Sequence, residues 1–270
     1  MLLSQLTTKT RRHEGSAKEA NFFFVIFLCL RFFLVVLGFG GLSAQAQTPT
    51  EIVERAVNAH GGVAALSRLK SFEQIAKGKC SLVGPEMDAV REAKWALPDR
   101  SLITLEMNVQ GRKLTTVIGL NGLYGWVKAN ADPAQDLKPG QYDLIADESW
   151  VHWLCTVAPL TQKGVKLSPV APIQVDSVAA DGIRAIKEGR PDVSLYFSKS
   201  NGLLVKAVAR IKDGGATANK EWVFSGHKEY SGVRLPGKII ETQNRQRQAE
   251  WSQVEYKFVE KFDAAIFRKP

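Results

Sequence analysis

From Ser71 to the C-terminus the sequence is a succession of short alternating runs, each closed by a turn signal. No other feature limits the fold as much. Leu102–Val109 shows the pattern most cleanly: Ile103, Leu105, Met107 and Val109 alternate with Thr104, Glu106 and Asn108, the period of a strand with one dry face. Before it, Ser71–Leu82 reads as a strand, and Arg91–Leu97 as another that puts Ala93, Trp95 and Leu97 on one face. After it, Leu114–Leu120 and Leu123–Lys128 flank Asn121-Gly122, a pair that tolerates positive φ and signals a hairpin. The second half continues with seven strand candidates: Ile173–Ala179, Ile183–Lys187, Val193–Phe197, Leu203–Ile211, Lys220–Glu229, Gly237–Gln243 and Glu250–Phe258. Asp181-Gly182, Gly189–Asp192, Asn201-Gly202, Asp213–Gly215, Gly232–Pro236 and Asn244–Gln246 read as the turns between them. About eleven or twelve such strands in a row predict one large antiparallel sheet, curled or nearly closed.

Such a sheet has a dry face that must be covered, and the sequence offers two helical regions for it. Thr48-Pro49-Thr50-Glu51 is a capping box with proline at the first helical position. It opens a helix whose apolar face is Ile52, Val53, Ala56 and Val57, broken at Gly61-Gly62 and followed by a shorter stretch. The larger region is Tyr142–Leu160, where Trp150, Trp153, Leu154 and Val157 fall on one stripe and Pro159 marks the end. The expected class is mainly β with helices (α+β): a curled sheet or incomplete β-barrel plugged by helices. No linker splits the chain after residue 46, so 47–270 is expected to be a single domain.

Residues 1–46 have a different texture. Lys9, Arg11, Arg12 and Lys18 precede an apolar run from Phe22 to Leu37, and Ser43-Ala44-Gln45-Ala46 closes it with a small-x-small pattern. This is the form of a signal peptide, with cleavage expected after Ala46 and export to the periplasm or beyond. Arg31 interrupts the run, and the rival reading is an uncleaved membrane anchor. Cys29 follows Leu28, which does not suit lipid attachment. The segment holds five of the 36 Lys and Arg and two of the 27 Asp and Glu, which leaves the rest at +6. No dense basic block accompanies that charge, so nucleic acid is not an expected partner. Cys80 and Cys155 remain, and they allow either one disulfide or two buried thiols.

Signals for chemistry are sparse. Past residue 46 the histidines are His60, His152 and His227, without metal-ligand spacing among them or a Cys-x-x-Cys, so no metal or cofactor is expected. His60, at a helix end, suits capping of a terminal carbonyl. Asp147, Ser149 and His152 lie close enough on one helix for a Ser–His pair; the plainer reading is an exposed polar helix face, with His152 at the surface.

Several segments resemble the LolA/LolB-like outer-membrane lipoprotein-sorting proteins: Ile52–Gly62 followed by Ala65–Phe72, the stretch Val193–Val205, Tyr230–Ile239, and the closing Phe262–Pro270. The resemblance covers most of the chain after residue 46, in order. It implies an incomplete barrel closed by helices around an apolar cavity, and a carrier of acyl chains across the periplasm. It supplies no site residue. From the residues themselves, a lipid or another hydrophobic ligand is expected under the Trp150/Trp153 helix, against Trp95, Leu97, Ile103, Leu105, Met107, Trp150, Trp153 and Leu154; the resemblance implies that it is a lipoprotein acyl chain. The expected protein is a monomeric carrier and not an enzyme. The alternatives are an envelope scaffold with a filled core that binds another protein, and a hydrolase using Ser149 and His152.

Overall fold

The computed structural model describes residues 47–81 and 84–270. The expected signal segment, with Cys29, Arg31 and the cleavage point, lies outside the described residues. Gln47–Pro270 form one compact unit, and no described helix is long and apolar enough to cross a membrane.

Helix α1 spans Pro49–Ala59. Its capping box forms as the sequence predicts: the Thr48 N–H donates to Glu51 Oε2 at 2.8 Å and the Glu51 N–H to Thr48 Oγ1 at 3.3 Å. Ile52, Val53, Ala56 and Val57 are its buried face. His60 closes it, with Nδ1 2.7 Å from the Ala56 carbonyl and Nε2 accepting from the Leu204 N–H at 3.4 Å. A neutral ring protonated on Nδ1 satisfies both contacts. Gly61 follows at φ 115°, where a Cβ would lie 2.0 Å from the carbonyl oxygen of Gly232. Only glycine lets the chain pass that loop and turn into α2, Gly62–Leu66.

The strands are β1 (Ser71–Cys80), β2 (Met87–Ala96), β3 (Arg100–Val109), β4 (Arg112–Asn121), β5 (Tyr124–Ala129), β6 (Gln135–Asp136), β7 (Lys166–Val175), β8 (Val178–Ile186), β9 (Val193–Ser198), β10 (Leu204–Asp213), β11 (Ala216–Ser225), β12 (Lys228–Tyr230), β13 (Val233–Leu235), β14 (Lys238–Gln243) and β15 (Gln246–Phe258). Thirteen of them form one antiparallel sheet in the order β6-β5-β4-β3-β2-β1-β15-β14-β11-β10-β9-β8-β7, while β12 and β13 make a separate hairpin. The outer strands β6 and β7 do not pair, so the curled sheet stays open. The first and last long strands meet in its middle, β1 against β15. The expected architecture, mainly β with a large curled antiparallel sheet, is the one found.

Three expected turns move. Asp181-Gly182 lies inside β8, opposite Phe197 and Tyr196, and the chain turns instead after Val175 at Asp176, φ 51°. Asp181 is tolerated in a strand because Arg55 and Lys199 neutralise it at 2.8 and 3.2 Å. Gly182 makes room for Tyr196, whose ring would lie 2.8 Å from a Cβ there. The first-half hairpin turns at Gly122-Leu123, one residue later than predicted, since Asn121 pairs with Tyr124. Gly226 at φ 60° ends β11, and Val233–Leu235, expected as turn, becomes β13.

The main helix α3 spans Pro139–Cys155, and a 3-10 turn follows at Ala158–Thr161. The Tyr142 hydroxyl ties its start to the β4–β5 turn, donating to the Gly122 carbonyl at 2.9 Å. No residue from Leu144 to Cys155 is exposed. The polar wet face expected for this helix is therefore absent past its first turn: from Leu144 on α3 is covered on all sides, and Ser149 is only 3% exposed. The reason is its place in the fold, with one side against the core and the other against the inner face of the sheet. Cys155 on this helix is a free thiol, so the possible bridge to Cys80 is not made. Burial pushes that thiol well above its ordinary pKa.

Candidate functional site

Residues directly opposite on neighbouring strands share a face. The register therefore puts Ala76, Arg91, Leu105 and Thr116 in one row across β1, β2, β3 and β4, with Ala93, Ile103 and Ile118 in the next. On the far side of β15, Ala249 stands opposite Glu241, and Glu241 opposite Trp222. This face turns toward α3, which presents Ile145, Glu148, Ser149 and His152 to it. Between helix and sheet lies a cavity of about 320 Å³. Trp95, Ile103, Leu105, Met107, Ile118, Ile145, Trp222 and Trp251 give it mostly apolar walls, and the partly exposed Thr116, Thr242, Gln243 and Gln248 line it as well. A larger open groove of about 930 Å³ on the other side of Met107 is lined by charged residues that pair with one another, among them Lys79 with Glu86 and Lys113 with Glu106.

The cavity also holds a charged cluster. Arg91 donates from Nη1 to Glu241 Oε1 at 2.7 Å, and the indole N–H of Trp251 donates to the same oxygen at 2.9 Å. The guanidinium lies over the Trp251 ring, 4.6 Å from its centroid. Ala76, Gly78 and Ala249, small residues on the two strands between, leave the arginine room to reach across. Gly78 has a second duty at a β-bulge, where a Cβ would sit 1.9 Å from the Glu250 carbonyl oxygen. Desolvation acts most strongly on Glu241 and raises its pKa, but Arg91, His152 and the hydrogen bonds from Arg91 and Trp251 together hold it below the ordinary carboxylate value. Lys220 of β11 pairs with Glu148 of α3. There desolvation prevails over the lysine, and Glu148 stays above its ordinary value.

His152 stands among these groups, its ring centroid 5.1 Å from that of Trp95 and 6.0 Å from that of Trp222. It is not at the surface, as expected from sequence. Desolvation first, then the nearby Arg91, lowers its pKa to about 4, so the ring is neutral at neutral pH. No hydrogen bond joins it to Ser149 among the described residues, and Asp147 turns away to Arg190 at 3.4 Å. The three side chains do not make a relay. Nor does any group of three or more His, Cys, Asp or Glu side chains among the described residues suit a metal ion.

Of the residues expected around a ligand, Trp95, Ile103, Leu105 and Met107 line this cavity. Leu97 and Trp153 line a different one of about 380 Å³, with Val57, Val63 and Leu66 from the N-terminal helices. Trp150 and Leu154 are in the core, 3% and 0% exposed, and the Trp150 indole N–H donates to the Pro191 carbonyl at 3.1 Å. The helix thus faces the cavity with the side next to the tryptophan stripe. Arg91, Glu148, Lys220, Glu241 and Trp251 were not among the expected site residues. The signal for Arg91 was present, since it has the same parity in its strand as Ala93 and Trp95. Glu241, 150 residues further along the chain on β14, carried none.

The sequence matches no family model and no curated protein. The fold does match solved structures. A LolA superfamily protein from Nitrosomonas europaea superposes with a TM-score of 0.52 at 15% identity, over 83% of this chain and 99% of that one. The fold is LolA-like. A domain described as outer membrane lipoprotein-sorting from Vibrio parahaemolyticus gives 0.50 at 9% identity, covering 81% of this chain and 95% of its own. A DUF1329 family protein from Desulfovibrio piger gives 0.52 at 12% identity, covering 83% and 98%. The LolA-like architecture places the inner sheet face and α3 on either side of the cavity described above.

Proposed function

We propose that this protein is an exported carrier or binding protein for a hydrophobic ligand, held between the inner sheet face and α3. The observation that carries this reading is the cavity of about 320 Å³, with three tryptophans and Ile103, Leu105, Met107, Ile118 and Ile145 around it. Burying an apolar chain there is favourable by about 25 cal/mol per Å² removed from water. The LolA-like fold agrees with it, since one solved structure of this fold is described as lipoprotein-sorting. A scaffold role calls for a filled core, which the cavity does not favour. Hydrolysis by Ser149 and His152 lacks a hydrogen bond between them and an oriented acid. Trp150 and Leu154 support the helix from the core side, and Trp95, Ile103, Leu105 and Met107 meet the ligand. Work in the periplasm follows from the signal-like segment at 1–46.

Native mass spectrometry with lipid extraction, on protein purified from cells expressing the full chain, tests the proposal. A co-purifying apolar species is expected, and L105W, which fills the cavity, should remove most of it. A folded wild-type protein that carries no such species and takes up no Nile red would overturn the reading.

A further inference from the structure

Resting on that reading, we infer that the ligand carries a free carboxylate, which Arg91 receives inside the cavity. Arg91 is 9% exposed and lines the cavity. Nη1 is taken by Glu241, while Nε and Nη2, both buried, make no hydrogen bond among the described residues. Buried polar groups in folded proteins are almost always partnered, and an orphaned pair on a cation points to a role beyond packing. These two nitrogens form one edge of the guanidinium, the edge that grips a carboxylate two-pronged. Arginine only donates and keeps its proton, so its partner must be an acceptor.

The edge is also held in place. Glu241 fixes one corner, the Trp251 ring lies against the face at 4.6 Å, and the Trp251 indole N–H anchors Glu241 in turn. The donor pair is thus preorganised beside a wall built of Leu105, Ile103 and Met107; both nitrogens are closed off here, so a head group reaches them as the side chains around Arg91 give way, with its tail on the aliphatic residues.

Charge and size narrow the head group further. The cluster is balanced before a ligand enters, Arg91 against Glu241 and Lys220 against Glu148, with His152 neutral. A carboxylate adds one negative charge; a phosphate monoester adds roughly 1.5 to 2 beside two carboxylates already present. The cavity, near the lower end of the ~300–1,000 Å³ common for small ligands, suits a single chain. An acyl chain in ester or amide linkage has no free carboxylate, so the structure assigns a fatty-acid-like ligand in preference to a lipidated protein.

Delipidated protein titrated with laurate, dodecanol and dodecyl phosphate at pH 8, read by intrinsic tryptophan fluorescence, to which Trp95, Trp222 and Trp251 in the cavity contribute, tests this. Laurate should bind about tenfold or more tighter than dodecanol, the scale of a charge-assisted two-pronged contact, and tighter than dodecyl phosphate. In R91K, which keeps the charge but not the fork, that preference should collapse. Equal binding of laurate and dodecanol by the wild type would overturn the carboxylate and leave the carrier standing. Tighter binding of dodecyl phosphate would replace the carboxylate with a phosphate. Binding of none of the three would remove the carrier and this inference together. The wild-type comparison stands even if R91K does not fold.

Discussion

Arg91 and Glu241 illustrate how far one residue's meaning depends on another distant in sequence. Two ionised groups on an inner sheet face lose much of their hydration, and their 2.7 Å contact, together with the 2.9 Å hydrogen bond that the Trp251 indole N–H donates to Glu241, offsets that loss. Removing one partner strands the other. Glu241→Leu is expected to destabilise the fold by about 3 kcal/mol, whereas the double variant Arg91→Met with Glu241→Leu should recover most of it. Urea unfolding of the two proteins measures the difference, and equal stabilities would mean that the pair is not coupled. Nothing near Arg91 in the sequence names this partner. Strand parity put Arg91 on the face of Trp95, but which charge it meets depends on the register of β1, β15 and β14 between them.

Among the elements, α1 and α3 make an instructive contrast. The sequence was sufficient for α1, from its capping box to its buried stripe, because both depend on residues within a few positions of each other. Its end is equally local, and Gly61 marks it. Gly61→Ala would place a Cβ on the Gly232 carbonyl in a backbone conformation that side chains avoid, so a loss of about 2 kcal/mol or more is expected. Thermal unfolding measures it; an unchanged midpoint would mean that the loop at Gly232 yields without cost. For α3 the periodicity of the sequence misled. The tryptophan stripe is buried, but the opposite face is not wet, since the sheet curls over it. Glu148, Ser149 and His152 read as surface residues for that reason. They in fact face the cavity, and two of them contribute to its charge balance or its aromatic wall.

For the whole molecule, the three described histidines act together. Burial, the largest influence on each, lowers His60, His152 and His227 to about 4. The unfolded chain holds them near the ordinary value of about 6.5, so between these values it binds more protons than the folded one. Stability is therefore expected to be full above about pH 6.5 and to fall progressively toward pH 4, by roughly 3 kcal/mol for a fully buried ring such as His60. Asp147 and Glu148, both raised by desolvation, offset part of this at the acid end by taking up protons in the folded state. Unfolding midpoints measured from pH 8 to 4 should show the decline, and a flat profile across that window would contradict the burial of these rings.

By itself the sequence determined the class of this protein: a mainly β chain, punctuated by turns into one antiparallel sheet, with a capped N-terminal helix and one aromatic-rich helix to cover the sheet. Those features are set by neighbours a few residues apart, through alternation, capping and the freedom of glycine. It also put Ile103, Leu105 and Met107 on one face of a strand and Ala93 and Trp95 on one face of another, since alternation is enough for that. The tertiary structure alone decided where the helix faces, which turns become strand, and which charges meet. Those depend on the order β1-β15-β14-β11, which joins the first and last long strands in the middle of the sheet and brings Arg91, Glu241, Trp251 and Lys220 to one cavity. No local pattern encodes a contact made across 150 residues.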